Sequence, residues 1–333
     1  MPDINKAVEA FEKAVNLSFA GAVPSSLLAR QDLEAAIVKL TNRETPLRDK
    51  LARVKGEGRA HLWNVRTSLA PAGAALTTDL FYADGDTPAF SDPAYTQKSA
   101  AYKYLGTAAN ITGPMIASGR SFIDIEAEVA EAKLRQVVQA EEWALFHGDS
   151  TVGTGLQFDG IEKQVTTNVI DKSGAAISVS DIWRATKLIR NQGGKPTDVF
   201  VSFGVQNQIN TLLLGDVRYF GQNGTNVTAG IVANSIQTPA GVLPLVGDFF
   251  VNPTGAYPYN QAGSSGAEGA ETSTVYVLST PDIEVVELMP LGRTELAKVA
   301  DSVRFYINEY IVLAVKSEPW QAKIVNVADP SGV

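Results

Sequence analysis

Apolar positions recur at helical spacing from the start of the chain. Ile4, Ala7, Val8, Phe11 and Val15 fall three or four residues apart with charges between them, which predicts an amphipathic helix over 3–15. Leu33, Ile37 and Leu40 mark a second over 30–41, and the stretch 21–26, with Gly21 and Pro24, separates the two. Two short helices joined by a breaker bury little by themselves, so they read as an arm that packs on something else.

The period then changes. Leu62, Val65 and Leu69 mark an extended segment over 60–70, and residues 96–112 return as another. Between them the chain is rich in Ala, Gly, Asp, Thr and Pro, with Phe81, Tyr82, Phe90 and Tyr95 as its aromatics. Two extended arms around a polar tip make a long hairpin, and an isolated hairpin is marginal in water. The excursion needs a partner surface.

The clearest element follows. Ser121 and Asp124 resemble a capping box, and Ile125, Val129, Leu134, Val138 and Leu145 continue at helical spacing until Gly148. That run predicts a spine helix of roughly 26 residues, about 40 Å long at 1.5 Å per residue. Farther on, Ser180 reads as the cap of a helix carrying Ile182, Trp183, Leu188 and Ile189 and ended by Gly193 and Gly194. A buried strand over 199–203 and a helix over 204–214 come next. Strands are expected within 229–251, at 275–278 and at 283–288, with a Gly, Ala and Ser-rich loop over 253–274. The stretches 303–315 and 320–327 read as two strands paired through a turn near Pro319.

Composition narrows the class. With 333 residues, 45% hydrophobic and 19% charged, the chain has enough apolar surface for a substantial core. It has no cysteine, so neither disulfides nor thiolate metal sites hold it together. The first residues lack the pattern of a signal peptide, and no apolar run approaches the roughly 20 residues needed to span a bilayer. A formal charge of −8 argues against a dedicated nucleic-acid binder. Residues 39–66 run the other way, with Lys39, Arg43, Arg48, Lys50, Arg53, Lys55, Arg59 and Arg66 against Glu44, Asp49 and Glu57. This basic stretch reads either as a solvated face or as a patch meeting an acidic partner, protein or nucleic acid.

Candidate chemistry is thin. His61 and His147 have no ligand-type neighbours at metal spacing. Glu126, Glu128, Glu131, Glu141 and Glu142 share the spine helix. Glu128 and Glu131 are one turn apart, a spacing that a carboxylate-dependent hydrolase or metal site uses; Lys133 and Arg135 on the same helix favour a solvated or intersubunit face. Ser202 lacks the glycines of a nucleophile elbow, and Gly153-Thr154-Gly155 lacks the rest of a dinucleotide or phosphate loop. Trp63, Trp143, Trp183 and Trp320 are expected in the core. No residue is assigned as catalytic, cofactor-binding or metal-ligating.

The order of elements and several stretches of sequence resemble the Hong Kong 97-type major capsid fold shared by tailed phages. Tyr95-Thr96-Gln97 through Gly119-Arg120 and Asp124-Ile125-Glu126 look like that family's extended loop running into its spine helix. Phe158-Asp159-Gly160-Ile161 looks like the lead into its A-domain, and Gly193-Gly194-Lys195-Pro196-Thr197-Asp198-Val199 like its helix-to-strand turn. Met289-Pro290-Leu291-Gly292-Arg293-Thr294-Glu295-Leu296-Ala297-Lys298-Val299-Ala300-Asp301, with Glu309-Tyr310 and Ala322-Lys323-Ile324 after it, is similar to the closing segment of one capsid subfamily.

The resemblance implies an α+β fold. Its parts would be an N-terminal arm (1–54), a lead into the P-domain (55–65), an E-loop (66–112) and a P-domain with the spine helix (113–157). An A-domain (158–290) and returning P-domain strands (291–333) would complete it. It further implies self-assembly into hexamers and pentamers of an icosahedral shell in the virion, formed in the host cytoplasm and filled with DNA without sequence-specific contacts. A portal and a separate scaffolding protein are the expected partners, with room for a decoration protein; no cofactor and no membrane are implied. Phe81, Tyr82, Phe90, Tyr95, Arg48, Arg53 and Arg66 are the expected intersubunit contacts. An encapsulin-like nanocompartment shell is the alternative on the same fold, and a carboxylate-dependent hydrolase the alternative from another class.

Overall fold

A computed structural model describes residues 42–69, 81–87, 92–119, 123–152, 154–214, 234–252, 272–298 and 300–329. The expected helices at 3–15 and 30–41 lie outside these residues, as does Phe90.

Three sheets organise the described chain. The first is four-stranded, in the order β1 (Ala52–Lys55), β10 (Ile283–Glu295), β11 (Ser302–Val315), β4 (Lys103–Thr112). It is antiparallel except where β1 runs parallel to β10. The second is six-stranded, in the order β5 (Val169–Asp171), β12 (Ala322–Ala328), β9 (Thr272–Leu278), β6 (Asp198–Val201), β8 (Gly241–Gly247), β7 (Ser235–Thr238). The third is a two-stranded ribbon of β2 (Ala60–Ser68) and β3 (Ala94–Ala101), antiparallel from Ala60↔Ala101 to Ser68↔Ala94.

The described residues also form six α-helices. They are α1 (Pro46–Lys50), α2 (Gly113–Gly119), α3 (Ile125–His147), α4 (Ile161–Gln164), α5 (Val179–Asn191) and α6 (Phe203–Leu214). The long α3 is the expected spine, with 23 residues and a length of about 35 Å. Asp124 itself is its cap, accepting from the N–H groups of Glu126 and Ala127 at 3.1 and 3.2 Å. Along α3, apolar Ile125, Val129, Ala130 and Val137 pack with Ala109, Ile111, Phe305 and Ile307 of the four-stranded sheet. The second half is enclosed on more sides: Val137, Ala140, Glu141, Glu142, Ala144, Leu145 and Phe146 are all buried.

Strand alternation explains how the six-stranded sheet is covered on both faces. Val199 and Val201 of β6, and Val275 and Val277 of β9, turn to one side, where Ile182, Ala185 and Ile189 of α5 and Val205 and Ile209 of α6 pack. Phe200 and Tyr276 turn to the other side and meet Phe146 from the end of α3, with ring centroids 5.9 and 5.2 Å apart. That second core also holds Leu47, Leu51, Val285, Ile311 and Leu313. One hydrophobic mass therefore joins both sheets, the spine helix and α1.

Several expectations change. The strands at the carboxyl end do not pair with each other: β11 lies between β10 and β4, whereas β12 lies between β5 and β9. A short 3-10 turn at Glu318–Trp320 carries the chain from one sheet to the other, because the faces of Leu313 and Ile324 belong to different cores. The strand expected at 283–288 continues through two irregularities to Glu295. The cap of α5 is Ser178, whose N–H donates to the Asp181 carboxylate at 2.9 Å. The segment 96–112 divides at buried Tyr102 into β3 of the ribbon and β4 of the four-stranded sheet. Trp183 is not in the core; it is 46% exposed, with its indole N–H donating to the Gln237 carbonyl at 2.9 Å.

At the end of α3 the backbone passes close to itself. The Gly160 N–H donates to the Gly148 carbonyl at 2.7 Å. A Cβ on Gly160 would lie 2.6 Å from the Phe146 carbonyl oxygen and 2.7 Å from the Gly148 nitrogen. Only glycine permits that approach.

Candidate functional site: an exposed ribbon and a buried ionic clasp

The ribbon is the first candidate. No residue of β2 or β3 is buried. The ribbon leaves the body between Gly56 and Arg59 on one strand and Tyr102 on the other. Past its strands in sequence, Phe81 is 86% and Tyr82 60% exposed; within it, Tyr95 is 65% exposed and its register partner Arg66 is exposed too. These four expected contact residues are thus all available at the surface. An antiparallel pair in a globular sheet normally buries one face; here that face, with His61, Trp63 and Val65, is only half-buried, and Trp63 packs against the core at its base.

Arg48 and Arg53 behave otherwise. Both point into the subunit, where their side chains are 20% and 24% exposed. Arg48 Nε bonds Glu141, and Arg53 bonds both Glu141 and Glu287. Arg53 also lies 3.9 Å from Glu309. Lys50 bonds Asp198. The basic stretch expected to meet neighbours is, at these three positions, engaged with carboxylates of its own chain. Burial drives this: Glu141 and Glu309 have no exposed surface, and a charge taken out of water needs an opposite charge beside it.

The backbone of the same segment is held as well. Thr45, at the start of α1, makes no side-chain cap bond. The Leu47 and Arg48 N–H groups instead donate to Glu142 at 2.7 and 2.8 Å. A carboxylate 95 positions away in sequence thereby caps the first turn of α1. Burial, and then the neighbouring Asp248, hold the Glu142 carboxyl well above the usual range. Asp248 is raised too, by burial, although Glu142, the Phe250 N–H and His147 oppose the shift.

Glu309 stands apart. Both its oxygens are buried and neither accepts a hydrogen bond among the described residues. Burial, then Glu141, push its carboxyl up to about 8 against the opposing effect of Arg53 and Arg48.

Sequence reasoning placed Glu141 and Glu142 on an exposed carboxylate face, and they are fully buried. A signal for this was present. Glu141 is one turn from Val137 and from Leu145, so the apolar side of the helix runs through it. Glu309 carried one as well, in alternation with Phe305, Ile307 and Ile311, and so did Glu287 after Ile283 and Val285; Asp248 carried none. His147 bridges Glu162 and the Phe250 carbonyl, at 2.7 and 2.8 Å. Among the described residues no three or more His, Asp or Glu side chains are grouped to hold a metal ion, and no helix is long and apolar enough to cross a membrane.

A spine helix laid on one sheet, a second sheet fused to it through a shared core, and a projecting ribbon make up the Hong Kong 97-type capsid fold. The chain superposes on the capsid subunit of cyanophage A-1(L) with a TM-score of 0.68, covering 94% of this chain and 99% of that one at 12% identity. It superposes on the SrpI encapsulin of Synechococcus elongatus PCC 7942 with a TM-score of 0.61, covering 93% and 97% at 11% identity. The chain belongs to the SU10 major capsid protein family, whose model matches residues 10–328. The major capsid protein of Staphylococcus phage K is 30% identical over 166 residues, 47% of this chain and 35% of that protein. The chain therefore spans about a third of the length of the curated relatives it matches. Likeness in sequence falls on phage capsid proteins, and likeness to the encapsulin is in fold alone. The family is structural, so the carboxylates of the spine helix are read as structural and not as hydrolytic groups.

Proposed function

We propose that copies of this chain assemble into hexamers and pentamers of an icosahedral shell that encloses double-stranded DNA, with the ribbon as an assembly element. The observation that carries this reading is a two-stranded ribbon without a single fully buried residue, touching the core only near its base through Trp63 and Ala100. Away from that base its strands bury little of their own, and an arrangement so costly in conformational entropy is stable only where neighbours cover it. Phe81, Tyr82, Tyr95 and Arg66, together with Phe90, are its proposed contact residues. Arg48 and Arg53 are reassigned to the interior of the subunit. Each contact in such a shell is modest, and closure of the symmetric assembly multiplies them. A formal charge of −8 suits a container that does not grip its polyanionic contents.

In this reading the four-stranded sheet and α3 form the P-domain and the six-stranded sheet the A-domain. β12 accordingly moves from the returning P-domain strands to the A-domain, while β4, expected in the E-loop, and residues 283–290 of β10, expected in the A-domain, move to the P-domain. Residues 1–44 act as an arm on a neighbouring subunit, whereas residues 45–54, with Leu47 and Leu51 in the core and β1 in the four-stranded sheet, move from the expected arm to the P-domain. A portal, a separate scaffolding protein and a decoration protein are proposed partners, and assembly is proposed to take place in the host cytoplasm.

Deleting residues 79–92 tests the proposal. The shortened chain should keep its secondary structure by circular dichroism and form no shells by electron microscopy. Normal particles from that variant would refute the role of the ribbon. Particles that copurify with a protein cargo and no DNA would favour a nanocompartment instead.

A further inference from the structure

The segment 45–55 carries whatever precedes it into the body of the subunit, and what holds it in place is an excess of acid over base. Two guanidinium groups, Arg48 and Arg53, face five carboxyl groups in one buried network: Glu141 and Glu142 on α3, Asp248 beyond β8, Glu287 on β10 and Glu309 on β11. Glu141, Glu142, Asp248 and Glu309 are each no more than 1% exposed. Four buried carboxylates, with the part-exposed Glu287 beside them, cannot all be ionised against two guanidinium groups at this spacing, so the folded state must retain protons.

We infer that residues 45–55 form a proton-controlled clasp: with Glu309 and the Glu142–Asp248 pair holding protons it is closed on the spine helix and the four-stranded sheet, and loss of those protons opens it. The groups facing Glu309 account for its part. Arg53 comes from β1, Arg48 from α1, Glu141 from α3 and Glu287 from β10, while its neighbour in register on β4 is Leu105, which carries no charge. If Glu309 ionises, Arg53 is shared among three carboxylates and Arg48 remains with Glu141 alone. On the other side of α3, Glu142 grips the α1 backbone while Asp248 and His147 stand next to it. Full ionisation of that pair sets two carboxylates against each other beneath Leu47 and Arg48. Both sites act on the same short segment and in the same direction.

The sign follows from linkage. A carboxyl whose folded-state value is raised from 4.5 to about 8 keeps the closed form fully favoured below 4.5 and loses that advantage steadily as pH rises to 8. Each retained proton makes the opening equilibrium up to about tenfold more favourable per pH unit across that window. The clasp tightens in acid and loosens towards alkali. This inference concerns the interior of one subunit and does not depend on the shell reading.

Hydrogen exchange of the unassembled subunit from pH 5 to 9, normalised to the unstructured rate at each pH, tests it. Protection of the amides of residues 46–54 should fall by up to about tenfold per pH unit between 5 and 8, while β6 and β9 keep theirs. Glu309→Gln, which cannot ionise, should flatten that slope, and Asp248→Asn should flatten it further. A wild-type profile that is level from pH 5 to 8, or a Glu309→Gln profile that falls as steeply as the wild type, would overturn the clasp. Should Glu309→Gln fold poorly, Asp248→Asn alone decides between the same outcomes.

Discussion

Replacing Glu142 shows most directly how the α1 segment is held. The side chain has no exposed surface and accepts two backbone N–H bonds, at 2.7 Å from Leu47 and 2.8 Å from Arg48. A buried N–H left without an acceptor costs about 1–3 kcal/mol, so losing both bonds sets a ceiling of roughly 2–6 kcal/mol for Glu142→Ala. Relief of the contact with Asp248 offsets part of this, which leaves a loss of about 2–4 kcal/mol. Glu142→Gln keeps the volume and one acceptor oxygen but turns its amide N–H towards the second donor. It should lose about 1–2 kcal/mol. Equilibrium urea unfolding of the unassembled subunit at pH 7, followed by the fluorescence of neighbouring Trp143, measures both. The expected order of stability is wild type, then Gln, then Ala. If Gln and Ala cost the same, the site is one of packing volume and the capping argument fails. If both fall within about 0.5 kcal/mol of wild type, Glu142 does not hold α1 at all.

Two further outcomes are expected. Gly160→Ala puts a methyl group 2.6 Å from the Phe146 carbonyl and 2.7 Å from both the Ala144 carbonyl and the Gly148 nitrogen, so backbone must move; a loss of about 1–3 kcal/mol in the same urea assay is expected. Stability should also fall in acid below about pH 4.5. Burial by itself would raise the Glu318 carboxyl, but the Thr167 hydroxyl and the N–H groups of Thr166 and Thr167 outweigh it and hold Glu318 below the usual value of 4.5. A depressed carboxyl contributes stability above its unfolded value and loses it as pH falls. With Glu309 acting in the opposite sense above 4.5, thermal melting of the wild type should be most favourable near pH 4.5–5, and Glu318→Gln should weaken the acid limb.

Local pattern alone determined a good part of this protein. The periods of Ile125 to Leu145 and of Leu62 to Val65 announced a spine helix and an extended ribbon. Gly193, found with φ at +87°, and Gly148 marked where helices stop. Those signals are written in neighbouring residues, because a helix or strand buries one side at a fixed spacing. The exposure of Phe81, Tyr82 and Tyr95 followed from the same reasoning, since a thin hairpin has no interior to hide them.

Tertiary structure alone decided the rest. Arg48 and Arg53 looked like surface charge, because a basic run is ordinarily solvated and nothing nearby in sequence neutralises it. Their partners, Glu141 and Glu287, lie 93 and 234 positions away. Likewise β11 and β12 looked like a hairpin, being adjacent and both apolar, yet they join different sheets whose other strands arrive from distant parts of the chain. Which charge meets which, and which strand lies beside which, depends on long-range packing that no local period encodes.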